Sequence, residues 1–67
     1  MTEYEKRIRS CFKQAYEYHE RHKGIKSKEQ FAKAWNEITA LSDAKGDPFT
    51  LELMSAVYGH LARESKR

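Results

Sequence analysis

The sequence predicts an all-α protein, a small three-helix bundle with short loops. Three observations carry that prediction. Apolar residues recur at the three-and-four spacing of a helix face in three separate stretches. Capping residues stand at the start of each stretch, and glycine or proline falls in each connection. No run alternates with a period of two, so no strand is expected. The predicted helices cover about residues 3–23, 28–45 and 48–63, within a single domain spanning 1–67.

The first helix starts after Thr2, whose hydroxyl can accept from the backbone N–H of Glu5 while Glu5 reaches back, a Thr-x-x-Glu capping box. Tyr4, Ile8, Cys11, Phe12, Ala15 and Tyr18 form its apolar stripe, His19 and His22 continue it, and Tyr16 stands on its edge. Glu3/Arg7, Glu5/Arg9 and Glu17/Arg21 are spaced for ion pairs along the helix, each worth about 0.2–0.5 kcal/mol. Gly24 is expected at the left-handed C′ position, with Ile25 folding back on the helix end.

Ser27 and Gln30 make a second capping box for the middle helix. Phe31, Ala34, Trp35, Ile38 and Leu41 fall within an arc of roughly 120°. With the only Trp, a place midway along the chain and a glycine on either side, this helix reads as the organising element, and Trp35 as a core anchor. Gly46 is expected at its C′, and Asp47-Pro48 then reads as an N-cap followed by proline at the first helical position. The last helix differs. Phe49, Leu51, Leu53, Met54, Val57, Tyr58, Leu61 and Ala62 sweep roughly 220°. Either it is wedged between the other two, or part of it faces a partner. The glycines suit helix boundaries except Gly59, which falls inside this last helix.

Sixty-seven residues allow one modest core, because a chain this short buries only about 60% of its unfolded surface. With 39% apolar and 34% charged residues it is water-soluble in composition, yet too rich in core residues to read as disordered. One cysteine, Cys11, excludes an internal disulfide and a four-cysteine zinc site, and favours a reducing, cytoplasmic setting. No apolar run follows the first residues, so no signal peptide is expected, and no stretch is long enough to cross a membrane.

The sequence lacks the motifs of catalysis. It has no nucleophile elbow, no phosphate-cradling glycine loop and no His-Glu-x-x-His. His19-x-x-His22 puts two imidazoles on one face, with His60 as a conceivable third ligand, but no carboxylate is placed to complete a site. Cys11 on the inner stripe reads as a small buried apolar residue. No enzymatic activity, cofactor, metal or small-molecule substrate is therefore expected.

Two binding surfaces remain. The first is the surplus arc of the last helix, Leu51, Tyr58 and Ala62, left over if Leu53, Val57 and Leu61 turn inward, together with Tyr16. It suits a protein partner or a second copy of the chain. The second follows from charge. The net charge is +3, but residues 1–33 carry nine Lys/Arg against five Asp/Glu, while residues 34–67 carry four against five. The excess gathers at Arg21, Lys23, Lys26, Lys28 and Lys33, with Lys13 and the tail residues Arg63, Lys66 and Arg67 in support. A basic turn beside a helix N-terminus suits an anion such as a nucleic-acid phosphate. The leading expectation is a non-enzymatic protein-interaction or regulatory module; nucleic-acid binding is the alternative.

Overall fold

A computed structural model describes residues 2–66. Its elements are α1 (Glu3–His22), α2 (Lys28–Asp43) and α3 (Pro48–Glu64), with no strand among the described residues. The molecule is the all-α three-helix bundle that the periodicity implies. Arg7 meets Asp47, Phe12 meets Phe49 and His19 meets His60, so α1 and α3 run in the same direction. Helix α2 runs against both, joined to each by a short connection.

Helix α3 is the hub. It packs along α1 and along α2, whereas those two touch at fewer points, where the Tyr18 hydroxyl donates to the Ala34 carbonyl at 2.9 Å and where Arg21 and His22 meet Glu37. This corrects the expectation that α2 organises the chain. The wide apolar arc of α3 reflects a helix wedged between two neighbours. The core contains Tyr18, Ile25, Ala34, Ile38, Met54 and Leu61, with Phe31, Leu41, Leu51, Val57 and Tyr58 packed against it. Cys11 is buried, as its stripe position implies.

Three aromatics of the predicted apolar faces stand at the surface. Trp35 is 47% exposed, Phe12 54% and Tyr4 67%. Trp35 is no core anchor: it leans on Tyr58 with ring centroids 5.3 Å apart, at the outer edge of the α2–α3 seam. Its place inside is taken by Ala34 and Ile38. A side chain that large has no room where α2 approaches its neighbours closely. The bundle is correspondingly flat, 40 × 24 × 15 Å, with a radius of gyration of 12.6 Å against about 11 Å for a compact chain of this length.

The local signals hold with instructive differences. Ser27 and Gln30 form the complete capping box, and the Gln30 side-chain oxygen also accepts from the Lys26 N–H at 2.8 Å. At α1 only half the box forms. Thr2 accepts from the Glu5 N–H at 3.1 Å, but the Glu5 carboxylate takes the Thr2 hydroxyl instead of its backbone N–H. Gly24, at φ +76°, closes a type II turn in which the Ile25 N–H reaches the His22 carbonyl.

The end of α2 departs from expectation. Lys45, not Gly46, adopts the left-handed conformation, at φ +57°. The Gly46 N–H reaches the Leu41 carbonyl at 2.8 Å and the Lys45 N–H reaches that of Ser42 at 3.0 Å, the paired bonds of a Schellman motif. Gly46 is required for space rather than for φ. A Cβ there would overlap the Leu41 side chain at Cδ1 and Cγ.

Candidate functional site

The parallel packing of α1 on α3 leaves an open groove of about 420 Å³ lined by Phe12, Ala15, Tyr16, His19, Leu53, Ala56 and Val57. Phe12 and Tyr16 lie four residues apart on α1 and stand over the row Leu53, Ala56, Val57 of α3. The ring of Phe12 meets that of Phe49 edge-on at 5.5 Å, so it is held in place while more than half exposed. Tyr16 is 65% exposed. Only the His19 imidazole and the Tyr16 hydroxyl bring polar atoms from side chains to this lining. An aromatic pair over an aliphatic floor offers apolar area with one polar tip, the composition of protein–protein contacts rather than of a reaction centre.

Of the predicted interface residues, Tyr16 faces this groove. Leu51 and Tyr58 turn the other way and pack against the core on the α2 side, where Tyr58 also meets Phe31 edge-on at 5.8 Å. Ala62 is half-buried. Of the residues expected inward, Leu61 is buried, Val57 packs against the core while also lining the groove, and Leu53 is half-buried along the groove; Leu51 and Tyr58 are half-buried to the same class. Helical periodicity located both flanks of α3 but not which neighbour would cover which. Ala56, an unremarked small residue, completes the groove floor.

The basic set is divided by tertiary pairing. Arg21 donates to Glu37 at 2.8 Å and Lys23 to Glu20 at 3.0 Å. Burial pushes the Glu37 carboxyl up, but hydrogen bonds from Arg21 and His22 outweigh it and hold the group below its usual range. The Lys23 hydrogen bond, with that of His19, lowers Glu20 in turn. Lys26, Lys28 and Lys33 are exposed and make no ion pair among the described residues. Lys13 is also exposed, and Arg67 lies outside the described residues. At the start of α2 the Lys26, Ser27 and Gln30 N–H groups already have side-chain acceptors, which reduces what that helix end offers an anion.

The two histidines of α1 part company. His22 Nε2 donates to Glu37 at 2.9 Å and its ring lies 4.8 Å from that of Tyr18. His19 turns to the α3 side, with ring centroids 6.4 Å from His60. Among the described residues no group of three potential ligands could hold a metal ion. Other depressions include one of about 500 Å³ between α1 and α2 with Arg21 and Glu37 on its rim, one of about 360 Å³ at the His19/His60 end, and one of about 400 Å³ lined by Lys6, Arg9, Ser10 and Lys13. The first has Ala40, Leu41, Ala44 and Met54 beside the paired Arg21 and Glu37, and the second brings Lys23 and Lys26 beside the two imidazoles. No helix of the described residues is long and apolar enough to cross a membrane.

No family model, curated protein or solved structure matches this chain.

Proposed function

We propose that this chain is a small non-enzymatic helical module that works by binding protein, with the α1–α3 groove as its contact surface. One observation carries the reading: two aromatics, Phe12 and Tyr16, are held more than half exposed over Leu53, Ala56 and Val57. Exposed large apolar side chains are common singly; gathered along one groove they mark contact surfaces. The flank formed by Leu51 and Tyr58 supports the reading less, since both pack against the core and Tyr58 is met by Phe31 and Trp35 of α2.

Less supports nucleic-acid binding. Arg21 and Lys23 hold carboxylates, leaving Lys26, Lys28 and Lys33 on that surface without an ion pair among the described residues.

A photo-reactive phenylalanine analogue placed at Tyr16, with Lys33 as the control position, tests the proposal in extract of the native host. Discrete cross-linked protein species are expected from position 16 and not from position 33. Equal labelling at the two positions would sink it.

A further inference from the structure

The net positive charge of the chain belongs to one end of the bundle. Residues 19–29 and 60–66, which meet where α1 and α3 finish, carry six Lys/Arg against three Asp/Glu and hold all three histidines. The other described residues carry six against seven. A depression of about 360 Å³ opens at that end. The fold builds it from distant parts of the sequence. Parallel packing of α1 on α3 brings the His19 and His60 rings to a centroid separation of 6.4 Å, and the turn at Gly24 brings Ile25 and Lys26 to the same depression.

Its lining has two parts. Ile25 and Leu61 belong to the buried core and give it an apolar floor. His19, Lys23, Lys26 and His60 bring imidazole and ammonium donors from α1, the first connection and α3. Lys26 makes no ion pair among the described residues. Two carboxylates are close by. Glu20 accepts from Lys23 at 3.0 Å and lies 3.3 Å from His19, and Glu64, on the lining itself, lies 3.8 Å from His60. Both carboxylates are exposed, and exposed pairs of this kind are weak enough for an anion of higher charge to displace. The Ser65 hydroxyl is committed to the Ala62 carbonyl, at 2.9 Å.

No guanidinium lines the depression, so nothing there offers the planar fork that reads a flat carboxylate. Ammonium point charges and imidazole N–H donors from separate segments suit oxygens spread in three dimensions. A phosphomonoester has that shape, and it carries about −1.5 to −2 charge at neutral pH. We infer that this end of the bundle binds the phosphate of a small phosphomonoester. Lys23, Lys26, His19 and His60 are the donors, and the carbon part of the ligand rests on Ile25 and Leu61. Glu20 and Glu64 compete for the same donors, which keeps the affinity modest and makes it fall with added salt. The site shares only His19 with the α1–α3 groove and does not depend on what the groove binds.

Titration with phenyl phosphate at constant pH 7, followed by the NMR signals of the His19 and His60 rings, tests this. Saturable shifts of both rings are expected, with the Trp35 indole unmoved. Lys23→Gln/Lys26→Gln should weaken binding tenfold or more. Lys28→Gln removes a charge at the same end but outside the depression, and should change binding less than twofold. All three lysines are exposed, and the amide spectra recorded in the same titrations report that each variant is folded. Inorganic phosphate lacks the ring and benzoate lacks the tetrahedral group, so each should bind at least fivefold more weakly than phenyl phosphate. Shifts that do not saturate, an equal loss in Lys28→Gln, or either of these two anions binding as well as phenyl phosphate would overturn the inference. So would an oligonucleotide without terminal phosphates that moves both rings at lower concentration than phenyl phosphate, because this end would then be a nucleic-acid contact.

Discussion

Arg7 clamps Asp47 across forty residues of sequence, Nε and Nη2 of its guanidinium reaching the two carboxylate oxygens, the latter at 2.9 Å. Asp47 is also the N-cap of α3, accepting from the Phe49 N–H at 2.9 Å. One carboxylate thus starts the third helix and ties it to the first. The Arg7 hydrogen bonds, then the Phe49 N–H, hold the Asp47 carboxyl well below the usual carboxylate range.

Folding depresses that pKa, so the stabilisation is complete above the unfolded value near 4 and is lost as pH falls through the folded value. Asp47→Asn keeps a capping oxygen but loses the charge. Its urea midpoint is expected to lie below that of the parent chain at pH 7, and the gap should narrow as the pH is lowered past 3. A gap independent of pH would show that the ion pair contributes nothing.

Tyr18 gives the alkaline counterpart. Its hydroxyl is buried against the Ala34 carbonyl, and burial raises its pKa to about 12. The raised folded value means that its contribution is whole below about 10 and declines as pH rises towards 12. Tyr18→Phe should cost about 1 kcal/mol at pH 7 for the lost hydrogen bond. The variant should also lose less stability than the parent between pH 9 and 11, as read from chemical denaturation.

The end of α2 yields a pair of opposite predictions. Lys45→Gly relieves a left-handed lysine and should raise stability by about 1 kcal/mol. Gly46→Ala should lower it by about 1–3 kcal/mol, because the new methyl must displace the Leu41 side chain. Thermal midpoints of the two variants should bracket that of the parent.

Thr50 is fully buried in α3 and its hydroxyl has no hydrogen-bond partner among the described residues. Thr50→Val replaces that hydroxyl by a methyl of similar size. Removing an unsatisfied buried group is worth about 1–3 kcal/mol, so the urea midpoint should rise. A loss of stability would show that the hydroxyl has a partner, such as a bound water.

The three helices were legible because their signals are local. Ser27 with Gln30, Asp47 before Pro48, and the apolar periods all act within a few residues of chain, and each appears in the structure where the sequence places it. The ion pairs were not legible. Arg7 and Arg21 have well-spaced glutamates on their own helix, yet they bond to Asp47 and Glu37. A partner fixed by the fold binds in a partly desolvated seam, where it outcompetes a solvated neighbour one turn away.

The sequence by itself determined that this chain makes three amphipathic helices, where they begin, and that α3 has more apolar surface than one neighbour can cover. Only the tertiary structure decided how that surface is divided: Leu51 and Tyr58 to α2, Leu53 and Val57 to the groove, Trp35 and Phe12 outward. The reason is geometric. Periodicity defines the angle of a side chain about its own helix axis, whereas burial depends on where the other axes lie, and that is set by the whole packed chain at once.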